Sequence, residues 1–351
     1  MYCCKDCFWD TDLKNHIQRN SSKIGNCDFC GMQSNLLDPL ELKEKFEFLK
    51  DNMFLSSNDG RTLANSFQYE FKVFNEDNVA NIDELLRAII DDPSLTEGKF
   101  ELISDSSRLS NGWDDLRSEL ISRNRFFPRT KIFSSLFRGG KSDELIVFEL
   151  LLSQLTTKLP IGCQLFRARI TDQIQCFPQD LDKPPSALAG DGRANPAGIS
   201  YLYCSTDRDT ALTEVRPSTG SVIYLADLKT KRSVNLLDLT SPRRMFSAFH
   251  FPDNLAHLAL ELIVLLEKLS EELTAPVAEA KQLSYLPTQF FCEFIKSQEQ
   301  FDGIKFLSSL TKQPNVVLFC EDSNEAVHFE RYEKCIVRKT THEFNHETST
   351  F

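Results

Sequence analysis

The chain has 351 residues, 41% of them hydrophobic and 28 of them Phe, with a formal net charge of −11. That length and apolar content suit two globular units plus a small module. The acidic balance argues against a protein whose main task is gripping nucleic acid, which needs a concentrated basic surface, although it leaves room for a local basic patch.

The opening MYCCKDCFWD lacks the basic-then-apolar pattern of a secretion signal. The most apolar stretch, 255–269, is interrupted by His257, Glu261, Glu267 and Lys268 and is too short to span a bilayer. A soluble, cytoplasmic protein without membrane association is therefore expected. Eleven cysteines invite a disulfide reading, yet five fall within the first 30 residues and the other six stand singly among apolar neighbours, as reduced core thiols do.

Cys4-Lys-Asp-Cys7 and Cys27-Asp-Phe-Cys30 are two CxxC pairs separated by 19 residues, the spacing of a four-thiolate zinc site. Cys3 competes with Cys4 for the first position, but only Cys4 keeps the two-residue gap. Four protein thiolates leave no open coordination position, so the zinc expected on Cys4, Cys7, Cys27 and Cys30 is structural. Residues 1–38 form this module. From 39 to 158 the pattern is helical: 40–49 and 81–90 alternate charge and apolarity at helical spacing, and 144–152 is apolar nearly all round, as a buried helix would be. An all-helical domain is expected there.

After Pro160-Ile-Gly162 the character changes to short β-rich runs at 164–170, 200–204, 221–226, 233–239, 316–320 and 326–337, with a further strand from 303. Two helices lie between them, one opened by Pro252-Asp253-Asn254 and running to about 272, the other at about 286–299. Strands that outnumber helices without alternating with them indicate an α+β domain at 159–339. Residues 340–351 are polar and expected to be a flexible tail.

Within 159–339 the polar residues form an ordered series. Leu165-Phe-Arg-Ala-Arg169 puts Arg167 and Arg169 on one side of a strand. Gly192-Arg-Ala-Asn-Pro-Ala-Gly198 is a loop displaying Arg193 and Asn195, and Tyr201-Leu-Tyr-Cys-Ser205 a strand carrying Tyr203. Glu214 follows on a short helix, then Gln289 in YLPTQFFCEFIK and Ser308 in DGIKFLSS. This series resembles the RES domain, named for its Arg, Glu and Ser, and 1–158 resembles the zinc-knuckled, HEPN-like region preceding it in longer members. One departure is Ala194, where shorter members carry Trp.

The resemblance implies an ADP-ribosyltransferase-like fold and an enzyme that destroys NAD by cleaving the nicotinamide glycosidic bond, as a glycohydrolase or phosphorylase. It places Arg193, Tyr203, Glu214 and Ser308 as catalytic residues. Arg167, Arg169, Asn195 and Gln289 complete the set as substrate-binding residues. A one-residue register shift would substitute Tyr201 or Ser309, and Gln289 fits either the site wall or the helix start. The implied setting is toxin–antitoxin or phage defence, with an antitoxin or regulatory protein, or homo-oligomerisation, as the restraint. Transfer of ADP-ribose onto a macromolecule is the second reading, and a non-enzymatic binding module the third. Arg244 and His250 satisfy the loose Arg-x(4-6)-His spacing of HEPN ribonucleases but lie outside the helical domain as drawn. No GxGxxG or Walker loop is present, so NAD is expected as a consumed substrate.

Overall fold

The computed structural model describes residues 1–21, 23–103, 105–171, 177–252, 255–275 and 282–340. The tail expected at 340–351 lies outside them apart from its first residue, as do two of the three residues expected to open the helix after 252. The chain divides into two compact units, one of residues 1–156 and 241–271, the other of 157–240 and 272–351.

The first unit opens with β1 (Cys3–Cys4), α1 (Thr11–Asn20), β2 (Lys23–Asn26) and β3 (Gln33–Leu37), the strands forming an antiparallel sheet in the order β1-β3-β2. Helix α1 starts at Asp10, whose buried carboxylate accepts the Leu13 N–H at 2.9 Å and so satisfies a free donor of the first turn. Next come α2 (Lys43–Met53), β4 (Phe54–Thr62), α3 (Leu63–Phe71), α4 (Ile82–Ile90), α5 (Pro93–Thr96), β5 (Lys99–Leu102), α6 (Arg108–Ser122) and α7 (Asp143–Gln154). Helix α4 shows how its sequence dictates its placement: Asn81 caps it, and Leu85, Leu86, Ile89 and Ile90 form the buried stripe.

Two expectations need correction here. The region 39–158 is not all-helical, because β4 and β5 pair antiparallel as a ribbon with an irregularity between Ser56 and Arg61. The polar residues 56–61 interrupt the alternation that would have marked a strand. Helix α7 is not buried all round: Val147, Phe148, Leu151 and Leu152 face inward, while Ile146 and Leu150 are 49% and 40% exposed. A continuous apolar run carries no information about which side faces water.

Residues 241–271, which sequence reasoning kept with the C-terminal region, cluster with the first unit. They carry α9 (Pro242–Met245) and most of α10 (Ala256–Thr274). Aromatic packing holds them there, Phe246 lying 6.1 Å from Phe71 and Phe249 5.2 Å from Phe46 between ring centres. Arg243 donates to Glu267 Oε1 at 2.8 Å and to the Glu70 carbonyl at 2.6 Å.

The second unit is built on an eight-stranded sheet. Its strands are β6 (Thr156–Leu159), β7 (Gln164–Ile170), β8 (Leu202–Ser205), β9 (Val222–Thr230), β10 (Val234–Asp238), β11 (Gly303–Leu307), β12 (Pro314–Leu318) and β13 (Val327–Ile336), in the order β13-β9-β7-β8-β12-β11-β10-β6. The helices α8 (Arg208–Glu214), α11 (Leu286–Ser297) and α12 (Ser323–Ala326) complete it. β10 and β11 run parallel, while β11–β12, β12–β8, β8–β7, β7–β9 and β9–β13 are antiparallel, a mixed arrangement that fits the α+β expectation. Leu165, Leu202, Ala226, Leu228, Leu236, Val316 and Leu318 form part of its buried core.

One feature of this sheet creates the site. β7 pairs with β9 along its whole length but with β8 only through Phe166 and Ser205. Beyond that pair the strands part, leaving backbone groups that need other partners.

Candidate active site

Arg167 fills the gap between the parted strands. Its Nη1 donates to the Tyr203 carbonyl at 2.8 Å, its Nε to the Leu181 carbonyl at 2.7 Å and its Nη2 to the Asp182 carbonyl at 3.2 Å. The guanidinium replaces ladder bonds and pins residues 181–182 over the gap. Burial holds its pKa below the usual arginine value.

The parted strands open onto a cavity of about 540 Å³, within the usual range for small-molecule sites. Arg167, Arg193, Asn195, Tyr203 and Glu214 all line it. Arg169, Gln289 and Ser308 do not: Arg169 is exposed and donates to the Asp180 carbonyl, and the other two are buried behind the walls.

The loop of residues 189–199 is a closed, self-bonded unit. Asn195 Nδ2 donates to the carbonyls of Gly190, Pro196 and Ile199 at 3.0, 3.2 and 2.8 Å, and its Oδ1 accepts the Tyr203 hydroxyl at 2.6 Å. That hydroxyl in turn accepts the Ala194 N–H at 3.1 Å, and burial raises the Tyr203 pKa above the ordinary phenol value. Gln289, on the second turn of α11, donates to the carbonyls of Gly192 and Asn195 at 2.8 and 3.0 Å. Thr288 donates to the Arg193 carbonyl at 2.7 Å. Asn195, Tyr203 and Gln289 therefore spend their polar atoms on the shape of the loop. Ala194 is fully buried in it.

This organisation presents Arg193. Its Nη1 donates to the carbonyls of Leu273 and Thr274, at 2.6 and 2.8 Å, which are acceptors left over at the end of α10. Nε and Nη2 have no partner among the described residues. Glu214, which also lines the cavity, ends α8, a short helix started by Asp207, which accepts the Thr210 N–H at 2.8 Å. Glu214 Oε1 accepts Asn315 Nδ2 at 2.7 Å, and Oε2 is uncommitted among the described residues.

Ser308 sits one residue past β11. Its Oγ accepts the N–H groups of Leu310 and Thr311 at 3.1 and 3.3 Å, holding a turn. The Thr311 and Thr210 hydroxyls then meet at 2.7 Å, tying that turn to α8. Ser308 thus reaches Glu214 through the scaffold. Neither neighbour offered by a register shift makes a polar contact in its place, since the buried hydroxyls of Tyr201 and Ser309 find no partner among the described residues, although Tyr201 does line the cavity.

The model of the family described as the RES domain matches residues 164–341, half of the chain. This chain belongs to the RES-domain family. No curated protein matches it. One similar solved structure is a chain from the crystal structure of the M. tuberculosis MbcT–MbcA toxin–antitoxin complex, 10% identical, with a TM-score of 0.33, covering 54% of this chain and 92% of that one.

Sequence reasoning missed several residues of the RES-domain cavity. Asn315, Arg216 and Asp191 line it; Asn315 faces Ser205 across β12 and β8, a register invisible before the sheet order is known. Three arginines and two acidic residues stand among those that line the cavity. The loop also makes a prediction about Gly192. A methyl group there would fall on Asn195 Oδ1 and the Tyr203 hydroxyl, so Gly192→Ala is expected to cost about 1–3 kcal/mol as an overpacking change. A lowered thermal midpoint checks this, and an unchanged one would show the loop less tightly seated.

The module at the other end of the chain is a candidate metal centre. The sulfurs of Cys4, Cys7, Cys27 and Cys30 all lie within 4.8 Å of one another, with Cys4–Cys7 at 4.0 Å, Cys4–Cys30 at 3.5 Å and Cys7–Cys27 at 3.3 Å. Tetrahedral thiolates about 2.3 Å from one ion would stand about 3.8 Å apart, so the group can hold a metal. Gly31, with φ of +73°, closes the second knuckle by donating its N–H to the Cys27 carbonyl at 2.9 Å. Cys3 is buried and outside the cluster.

The Arg244–His250 pair lies in a stretch that clusters with the first unit, so its position does not count against it. Its chemistry does: the Arg244 guanidinium stacks on Trp9 at 4.8 Å and faces Glu76 at 3.6 Å.

Proposed function

We propose that this RES-domain protein degrades NAD by cleaving the bond between nicotinamide and ribose, with water or phosphate as acceptor, and that it acts as a toxin restrained by an antitoxin or regulatory protein. The observation that carries this reading is the pairing, in one cavity, of Glu214, a carboxylate with one oxygen uncommitted among the described residues, and Arg193, whose Nε and Nη2 are likewise uncommitted among them. As nicotinamide leaves, the positive charge of its pyridinium ring passes to the ribose. A carboxylate fixed below the ribose stabilises that transition state more than the ground state, in which the ribose itself is neutral. The pyrophosphate of a dinucleotide is a dianion, and a planar guanidinium edge binds such oxygens at two points.

Arg193 suits that task better than Arg167, whose three nitrogens already serve carbonyls. Asn195, Tyr203 and Gln289 act by shaping the loop that carries Arg193, and Ser308 acts through the turn that seats α8. The toxin setting rests on the family alone. In the same reading 1–38 is a structural zinc module, 39–158 a HEPN-like region that carries the β4–β5 ribbon among its helices, and 159–339, apart from 241–271, the catalytic region. Among the described residues no helix is long and apolar enough to cross a membrane.

Purified protein incubated with NAD, without and with added phosphate, is expected to release nicotinamide with no macromolecule present: release that needs phosphate and yields ADP-ribose 1-phosphate marks a phosphorylase, release in water that yields ADP-ribose a glycohydrolase. Nicotinamide release that requires an added macromolecule, with ADP-ribose recovered on it, would replace this reading with transfer.

A further inference from the structure

The first unit carries a feature with no part in NAD chemistry. Between Glu119 and Asp143 the chain contains no acidic residue and six cations, Arg123, Arg125, Arg129, Lys131, Arg138 and Lys141, in a protein of net charge −11. All six are exposed, and none pairs with a carboxylate side chain among the described residues. In their midst stand Phe126 and Phe127, 82% and 80% exposed, more so than any other large apolar residue described.

The turn that presents these rings is built. Asn124 Oδ1 accepts the Phe127 N–H at 3.2 Å while its Nδ2 donates to the Phe127 carbonyl. Pro128 is buried beneath the turn. The Glu119 carboxylate accepts the Arg129 N–H at 3.0 and 3.1 Å, and Arg125 Nε donates to the Leu120 carbonyl at 3.3 Å. Leaving two phenyl rings in water forgoes burial worth roughly 1.5–3 kcal/mol each, so a fixed turn that does so offers them to something.

We propose that this turn, residues 123–131, binds single-stranded nucleic acid, the bases stacking on Phe126 and Phe127 and the phosphates meeting the surrounding cations. Two free aromatic faces set among cations form the combination by which unpaired strands are held without sequence preference. Four of the six cations are arginines, whose planar forks fit phosphodiester oxygens. A membrane surface is favoured less, because interfacial anchoring relies on a wide apolar face and this turn offers two rings.

The test is fluorescence anisotropy of the full-length protein with labelled oligouridylate and oligothymidylate of about 20 nucleotides, a length beyond one binding module. At about 50 mM salt both are expected to bind, with log affinity falling against log salt at a slope approaching about −4 if all six cations engage. Phe126→Ala with Phe127→Ala is expected to weaken binding roughly thirty-fold, two bases each at the low end of base–aromatic stacking, with an unchanged thermal midpoint because the rings are exposed. Arg123→Glu with Lys131→Glu should flatten the salt slope. Tighter binding of one oligomer identifies RNA or DNA as the source. Absence of binding by the wild type, affinities indifferent to both variants, or attachment to phosphatidylserine vesicles without oligonucleotide binding would each overturn the proposal.

Discussion

Glu214→Gln is expected to lower the rate of nicotinamide release by roughly 10²–10³-fold, the usual consequence of removing one preorganised electrostatic stabiliser. The substitution keeps the size of the side chain and its acceptor. The Gln carbonyl can still take the Asn315 Nδ2 hydrogen bond that fixes Glu214 at 2.7 Å, so α8 should keep its place. What is lost is the negative charge opposite the ribose at the moment positive charge develops there. The loss should therefore fall on kcat, with KM nearly unchanged. In cells induced for each form, wild type should deplete NAD and the variant should not. A variant within about three-fold of wild type would remove the carboxylate from the chemistry and leave the cavity as a binding site alone. The contrasting change, Asn315→Ala, frees the carboxylate without removing it, and a smaller loss there would separate charge from position.

How far the sequence anticipated this site depended on what each residue does. Arg193 and Glu214 belong to a loop and a helix whose local signals, Gly and Pro around the one and an Asp cap before the other, are strong in the chain itself. Both line the cavity. Ser308 was harder to place because its bonds run to Leu310 and Thr311, three residues away or fewer, and turn-forming serines look alike whether or not a substrate is near. Arg167 and Arg169 do share a face by strand alternation, yet only Arg167 lies where β7 parts from β8. That parting is a property of pairing between strands 36 residues apart, measured from Arg167 to Tyr203. Asn315 was invisible for the same reason. The bounds of β7 were legible as 164–170, whereas β9 runs on past Asp227 to Thr230 and β12 starts at Pro314, two residues ahead of the apolar run; the β4–β5 ribbon and the allegiance of 241–271 go with long-range aromatic contacts such as Phe54 and Phe246 with Phe71.

Removing metal from the four-cysteine module is expected to unfold it and destabilise the first unit. Structural zinc in small modules contributes apparent free energies of roughly 10–16 kcal/mol, because the site does not exist in the unfolded chain. Here the module is joined to the rest of its unit by backbone bonds that depend on the knuckle's shape. Asn75 and Asn78 donate their side-chain amides to the Asp6 carbonyl at 3.1 and 3.0 Å, the Asn75 N–H meets the Cys7 carbonyl at 2.9 Å, and Phe8 packs on Phe74 at 6.0 Å. Asp6 and Cys7 belong to the first knuckle, so its loss strands partly buried amides and carbonyls, at about 1–3 kcal/mol for each one left buried. Cys27→Ser is therefore expected to abolish stoichiometric zinc, measured by elemental analysis, and to lower stability by about 5 kcal/mol or more, a part of the full metal term. Acidification should mimic it, since protons compete with the ion for thiolates. A Cys27→Ser protein that melts like wild type, or a wild type carrying no metal, would make the cluster a set of buried thiols.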